Sequence, residues 1–406
     1  MRLTASAYPW NAARVGVARW LGEVAEYGFE GVDLAATYHP IDAFSPDGGA
    51  RLYTSPRGAV HFGARAARYG RIRPEVSSPE VCAAWEAVAD RAPALGLAVN
   101  AWTITMYQPW IVDHYPDTAR VLPSGESVGS CVCPANEDVR VYLASLCDDL
   151  FDQFDVDAIK LEGTAIQPFD YGWLRPRVLV AIPPLARELL ALCFCPSCHR
   201  RGTDAGLDVE RLRGEIDEVV AREIAHGGDS TSTERARELT TDPELHEFVV
   251  QHERAALDLA RIATSKIDGS RRPRVSTSAW TPFFSNVGAA SDDLLEEFLG
   301  TVDQVTAYPD RFEERCGRVA DVAARISRPI QLALTVSLVT LGPSGTPVAA
   351  EPEARVVDRV AAALETARAF EVGELNLYGY GLLRQQDIAD FVAAVRVGTA
   401  VRSAAP

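Results

Sequence analysis

The chain has 406 residues, of which 47% are apolar and 24% are charged, and its formal net charge is −16. These values are typical of a globular protein with a large core, and the negative charge argues against nucleic acid or an anionic membrane as a partner. The sequence has no run of eighteen apolar residues and no signal-peptide pattern, so we expect a cytoplasmic protein with reduced cysteines.

Eight segments have the apolar composition of buried strands, and helical patterns alternate with them. We expect strands at residues 3–8, 30–36, 97–104, 156–161, 274–280, 302–308, 329–336 and 374–378. Helical periodicity is present at 14–27, 79–95, 136–151, 243–267, 291–299, 312–326, 352–370 and 384–396. This alternation predicts an α/β fold with a parallel sheet, and eight units predict a closed (β/α)8 TIM barrel. A doubly wound sheet is the alternative, but no Gly-x-Gly-x-x-Gly turn follows any strand.

Three connections are longer than a plain loop requires. They follow the second, third and fourth strands, and the last of them is the largest. We therefore expect a single catalytic barrel domain over residues 1–406, with an insertion at about 164–242 that carries a cysteine cluster.

The fourth strand carries two charged residues. Glu162 stands at its C-terminal end, and Lys160, two residues earlier, lies on the same face. Lys160 is one of only two lysines in the chain, and an unpaired ammonium in an apolar strand would be costly. Either these residues form an internal ion pair that closes one end of the core, or Glu162 is a catalytic carboxylate that Lys160 keeps ionised.

Residues near the C-terminal ends of the strands should form the active site, because the chemistry of TIM barrels lies at that face. Aromatic walls around a carboxylate are typical of a carbohydrate site, since sugar rings present apolar faces. Aromatic side chains that only cap the core are the alternative. The residues expected to bind substrate are Lys160, His39, Trp102, Trp280, Tyr308, Tyr378 and, from the loop after the second strand, His61.

A second acid is needed if the site cleaves glycosides, because that reaction uses two carboxyl groups. Asp310, directly after the sixth strand, is the best candidate, although it is equally well placed to cap the next helix. Asp33 lies inside the second strand, and we expect it to form a structural ion pair with an arginine.

The most specific local motif is the C-x-C-x-x-C formed by Cys193, Cys195 and Cys198. Three thiols at this spacing can bind one zinc ion together with a fourth ligand. The candidates for that fourth ligand are Cys133, which we predict, Cys131 and His199. Four thiolates would make a closed, structural zinc site, and reduced thiols without a metal are the alternative. We expect no cofactor for catalysis.

These motifs resemble those of barrel proteins classed as glycosyl hydrolases. The motifs that carry this likeness are the tract Cys-Val-Cys-Pro-Ala-Asn-Glu-Asp-Val-Arg at 131–140, the strand that ends in a carboxylate, and Cys-Phe-Cys-Pro-Ser-Cys. The C-x-C-x-x-C with one upstream cysteine is similar to the zinc site of family 42 β-galactosidases, whose acid/base glutamate also ends the fourth strand. That resemblance implies that Glu162 is the acid/base, although Leu161 stands where that family has asparagine and the seventh strand supplies no nucleophile. The segment from Asp157 to Glu162 instead resembles the Lys-x-Asp strand of α-galactosidase-type barrels, which implies that Glu162 is the nucleophile and Asp310 the acid/base.

Our leading hypothesis is a glycoside hydrolase that acts on a small glycoside or oligosaccharide through Glu162 and Asp310. A sugar isomerase or epimerase is the second hypothesis, because Gly28-Phe-Glu-Gly-Val-Asp33 resembles the second strand of xylose-isomerase-type barrels. A non-catalytic sugar-binding barrel is the third. The expected partner is a small carbohydrate, and the sequence leaves open which sugar it is and whether the protein forms a homo-oligomer.

Overall fold

The computed structural model describes residues 1–46, 51–164, 167, 169–170, 177–227, 241–264, 274–278, 292–308, 312–325, 329–339 and 356–403. Eight parallel strands form a closed barrel, which confirms the predicted TIM fold. They are β1 Arg2–Ala7, β2 Gly31–Tyr38, β3 Ala98–Ile104, β4 Ala158–Glu162, β5 Arg274–Ser278, β6 Gln304–Ala307, β7 Gln331–Val336 and β8 Glu374–Tyr380. Each strand pairs with the next, and β1 also pairs with β8, which closes the ring.

The helices of the described residues surround this barrel or belong to the long segment after β4. They are α1 Pro9–Val15, α2 Val17–Tyr27, α3 Pro79–Arg91, α4 Pro109–His114, α5 Glu137–Gln153, α6 Pro184–Leu189, α7 Pro196–Asp204, α8 Val209–His226, α9 Pro243–Thr264, α10 Asp292–Leu299, α11 Phe312–Arg325, α12 Val356–Ala369 and α13 Gln385–Ser403. The helix expected at 14–27 is divided at Gly16, whose φ of 92° is outside the helical region. Asn136 caps α5 as predicted, because its side chain accepts a hydrogen bond from the Val139 amide.

The strands are apolar on their outer face and polar on their inner face. Leu3, Val32 and Val99 alternate with inward residues and pack in the core under the helices. TIM barrels usually fill their interior with branched aliphatic side chains. In the strands other than β5, the buried polar side chains are Thr4, Ser6, Asp33, Thr37, Asn100, Thr103, Lys160, Gln304, Thr306, Thr335, Glu374 and Asn376. Buried polar groups require partners, so this interior is specified by hydrogen bonds as well as by shape.

Two antiparallel hairpins, which the sequence pattern did not predict, lie in the loops after β2 and β3. The first pairs Ile41–Phe44 with Leu52–Ser55, and the second pairs Ala119–Val121 with Ser127–Val132. Helices α6, α7 and α8 follow β4, and residues of this region and of α9 form a separate apolar cluster. No helix of the described residues is both long enough and apolar enough to span a bilayer.

Candidate active site

Glu162 is the last residue of β4 and is partly buried at the C-terminal end of the barrel. Its Oε2 accepts a hydrogen bond of 2.7 Å from Nε1 of Trp102 on β3. Its backbone carbonyl accepts a hydrogen bond of 2.7 Å from the Thr105 hydroxyl. Gly163 follows with φ of 74°, and a Cβ atom there would lie 3.1 Å from the Gln167 amide nitrogen. The glycine therefore permits the turn that ends the strand at the carboxylate.

Lys160 is 7% exposed and forms a buried ion pair with Asp33 of β2. The Asp33 carboxylate also accepts hydrogen bonds from Asn100 at 2.7 Å and from Asn376 at 2.9 Å. The expected ion pair of Asp33 is thus present, but the prediction of an arginine partner was wrong. The cation is Lys160, which is 127 residues from Asp33 in the sequence. The two side chains meet because both point into the barrel.

The Glu162 carboxyl has a raised pKa because burial penalises its charged form. The hydrogen bond from Trp102 and the charge of Lys160 act in the opposite direction without reversing the shift. The charge of Lys160 thus acts in the expected direction, but its ammonium is bound to Asp33 and burial has the larger effect on the Glu162 pKa. A carboxyl with a raised pKa is suited to donate a proton.

Three tyrosines lie close together at the barrel mouth, at the C-terminal ends of the adjacent strands β1, β2 and β8. The hydroxyls of Tyr8 and Tyr38 are 3.2 Å apart, and Tyr378 interacts with both of them. Burial raises the pKa of all three, and the Glu162 charge also raises that of Tyr38 and Tyr378. These phenols therefore stay neutral and can donate or accept hydrogen bonds near the Glu162 carboxyl.

The exposure of these side chains divides the mouth into a base and a rim. Tyr8, Tyr38 and Trp102 are 0%, 3% and 4% exposed, and the ring centroids of the latter two are 5.1 Å apart. Tyr378 and Tyr308 are partly exposed, with ring centroids 6.1 Å apart. The closed aromatic base limits the depth of the site, so a ligand would contact the partly exposed rim.

The two predicted histidines lie on the β2 side of the mouth. His39 is partly buried and its Nδ1 donates to the Pro40 carbonyl at 2.7 Å, which leaves Nε2 as an acceptor. Burial lowers its pKa to about 4, so the ring is neutral near pH 7. His61 is fully buried against the Trp10 ring, and its Nδ1 is 2.6 Å from the Ser77 hydroxyl. Direct contact between His61 and a substrate stays a prediction. Trp280 and Asp310 lie outside the described residues.

Four buried thiols come together outside the barrel mouth, those of Cys133, Cys193, Cys195 and Cys198. Their sulfur atoms all lie within 4.8 Å of one another. Cys133 precedes α5, whereas the other three belong to the segment after β4, so the cluster joins this segment to the barrel. Two of the candidates for the fourth ligand lie elsewhere: His199 is 3.2 Å from Glu210, and Cys131 packs in the aromatic group at the mouth.

The spacing of the thiols fits a metal ion. Zn–S bonds of about 2.3 Å place the ligands of a tetrahedral zinc site roughly 3.8 Å apart. The Cys133 sulfur is 3.4 Å from that of Cys198 and 3.8 Å from that of Cys193. His252 of α9 supports the site, because its Nδ1 donates to the Phe248 carbonyl and its Nε2 accepts from the Cys193 amide at 3.0 Å.

Some residues of the site were not predicted from the sequence. The amides of Asn100 and Asn376, the contact between the Tyr8 and Tyr38 hydroxyls, and the role of Trp102 as a donor to Glu162 emerge only from the structure. The sequence does contain a signal for this polar interior, because polar residues at alternate positions of a strand indicate that one face of the strand is polar.

The comparisons with known proteins bear on the fold. No protein-family model matches the chain, and no curated protein matches its sequence. The structure is similar to the glycoside hydrolase domain of PgaB (BpsB) from Bordetella bronchiseptica, with a TM-score of 0.51 and 13% identity over 99% of this chain and 98% of that one. It is also similar to the catalytic domain of the β-amylase from Paenibacillus polymyxa, with a TM-score of 0.54 and 11% identity over 100% and 99% of the two chains.

A third similar structure is a β-galactosidase from the psychrophilic Marinomonas ef1. The TM-score is 0.52 and the identity 11%, over 99% of this chain but only 60% of that one. At these identities the likeness concerns the fold, and it confirms that the chain has the barrel architecture found in glycoside hydrolases.

Proposed function

We propose that the chain is a glycoside hydrolase whose single catalytic domain acts on a small glycoside or oligosaccharide. The observation that carries this proposal is the Glu162 carboxyl, which lies at the C-terminal end of the barrel, surrounded by aromatic side chains and fixed by a donor from the neighbouring strand β3. The similarity in fold to the glycoside hydrolase domain of PgaB, to the β-amylase and to the β-galactosidase supports it.

In this proposal Glu162 is the general acid/base. Its raised pKa and its neutral partner Trp102 favour this role over that of a nucleophile, which would need a stably ionised carboxylate. Because Trp102 donates to Oε2, the proton would be on Oε1. Glu162 would transfer it to the glycosidic oxygen as the bond from that oxygen to the anomeric carbon breaks.

The second carboxyl group in this proposal is Asp310, which follows β6. It would either attack the anomeric carbon or activate a water molecule that does so. Tyr378, Tyr308 and His39 on the partly exposed rim would contact the sugar, as predicted, with phenol hydroxyls and the His39 acceptor nitrogen serving its hydroxyl groups.

The test is Glu162→Gln, assayed on two aryl glycosides that differ in leaving-group ability. Because a good leaving group needs no proton, kcat should fall about a thousandfold for the poor leaving group and much less for the good one. Added azide should restore part of the activity toward the good leaving group. Equal losses on both substrates would favour the nucleophile role, and unchanged activity would end the hydrolase proposal. Glu218→Gln, on an exposed face of α8, is the matched control.

We also propose that the four clustered thiols hold a structural zinc ion. Four protein ligands leave no open coordination position, so the ion would stabilise the fold and take no part in the reaction. Purified protein should contain one equivalent of zinc by elemental mass spectrometry, and a preparation without metal that keeps its stability would contradict this.

A further inference from the structure

Arg120 is a buried cation between the cysteine cluster and the segment that leaves β4. It lies in the hairpin strand Ala119–Val121 and is 1% exposed. Its Nη1 donates to the Gln167 carbonyl, and its Nη2 donates to the Ala191 carbonyl at 2.8 Å. Ala191 is two residues before Cys193, and Gln167 is five residues after Glu162. One side chain thus bridges the backbone that enters the cluster and the backbone that leaves the candidate catalytic carboxyl.

The hairpin strand that carries Arg120 also contacts the cluster. Val121, the next residue, packs against the four thiols. Its carbonyl accepts a hydrogen bond of 2.8 Å from the amide of Phe194, which lies between Cys193 and Cys195. The buried guanidinium is therefore held beside the backbone that carries the thiols.

A zinc ion bound by four thiolates has a net charge of −2, since four negative ligands surround one divalent cation. Buried charges are stable when they are paired and hydrogen-bonded. Arg120 meets both conditions beside such a centre, because its charge opposes that of the thiolates and two of its nitrogens donate to backbone carbonyls.

We propose that Arg120 is the counter-ion of the metal–thiolate centre and a positioning residue that links this centre to the segment carrying Glu162. The inference rests on the proposed zinc site and, for its kinetic part, on the proposed hydrolase. The anionic centre holds the guanidinium in place, and the guanidinium in turn holds the Gln167 carbonyl beyond the turn at Gly163. Loss of the ion weakens the first of these contacts and thereby loosens the second.

The first experiment measures the release of zinc from the full-length protein to a chromogenic chelator. Arg120→Met should release zinc at least about tenfold faster than the unsubstituted protein, because the centre has lost its counter-charge. Arg213→Met is the matched control: Arg213 also donates to a backbone carbonyl, that of Pro123, at 2.7 Å, but it is partly exposed. A release rate of Arg120→Met within twofold of the unsubstituted protein would overturn the counter-ion assignment.

Arg120→Lys separates charge from bridging. This variant keeps the positive charge, so the rate of zinc release should stay near that of the unsubstituted protein. A compact ammonium is poorly suited to bridge both carbonyls. We therefore expect kcat to fall about tenfold with KM little changed. Zinc release as fast as that of Arg120→Met would overturn the role of charge, and an unchanged kcat would overturn the positioning role.

The unsubstituted protein provides a test that does not depend on how the variants fold. Removal of zinc should lower kcat about tenfold, and added zinc should restore it. An undiminished kcat in the zinc-free protein would overturn the link to Glu162. The zinc-release result does not require enzymatic activity, so failure of the hydrolase proposal and failure of this inference are distinguishable.

Discussion

The barrel mouth and the cysteine cluster both bury ionisable groups, but they compensate them differently. At the mouth, burial acts to lower the pKa of Lys160, but the charges of Asp33, Glu374 and Glu162 together raise it. Glu162 is the least buried of the three acids, and its pKa is raised because burial penalises its charged form. At the cluster, four thiols surround a space that suits a cation. The mouth thus leaves one acid ready to exchange a proton, whereas the cluster is complete only with a metal.

The largest effect on stability is expected at the cluster. Cys198→Ser should abolish stoichiometric zinc binding and lower the free energy of unfolding by about 5 kcal/mol, because the binding energy of a structural metal contributes to folding. Chemical denaturation and elemental analysis would measure the two effects. Cys82→Ser, which changes a buried cysteine outside the cluster, should keep the zinc. Equal losses of stability in Cys198→Ser and Cys82→Ser would contradict a stabilising metal at the cluster.

The next effect is at the ion pair beneath the mouth. Lys160→Met should destabilise the protein by roughly 3 kcal/mol in urea denaturation, because Asp33 would keep a buried charge without its cation. Lys160→Met combined with Asp33→Asn should recover much of this loss. Arg19→Met breaks the exposed pair with Glu23 and should change stability by less than about 1 kcal/mol. A double variant no better than Lys160→Met alone would show that the charge of Asp33 is not the cause.

A smaller effect, on activity rather than stability, is expected at Trp102. Trp102→Phe keeps an aromatic ring but removes the donor to Glu162, so kcat/KM should fall about tenfold. Because that hydrogen bond lowers the Glu162 pKa, the alkaline limb of the pH–rate profile should move to higher pH. Trp85→Phe, on the buried face of α3, is the control. A loss of activity with no movement of the limb would indicate a merely structural role.

The smallest effect concerns stability at pH values above the pKa of Glu162. The folded-state pKa of Glu162 is raised, so the folded protein holds this proton more tightly than the unfolded chain, and the associated stability is lost as pH rises through the folded pKa. Glu162→Gln should therefore be slightly more stable than the unsubstituted protein above that pKa and no more stable well below it. Thermal melts at the two pH values would measure this, and the opposite order would contradict the burial of an uncompensated acid.

The sequence was sufficient to place the eight strands, because apolar segments alternating with helical patterns are a local signal. It was also sufficient to place Glu162 at the C-terminal end of the fourth strand, and the catalytic role of this residue stays a prediction. The partner of Asp33 was not predictable in the same way, because the contact joins strands far apart in the chain and depends on their register. The predicted choice of Cys133 over Cys131 as the fourth thiol agrees with the structure, which brings Cys133 to the other three thiols and packs Cys131 at the mouth.

The left-handed backbone at Gly163 has a practical consequence for protein engineering. A side chain at this position would combine an unfavourable φ with a close approach to Gln167, one of the two residues whose carbonyls Arg120 holds. Directed-evolution libraries that aim to change substrate preference should therefore keep the Glu162-Gly163 dipeptide constant and vary the partly exposed rim positions 308 and 378 instead.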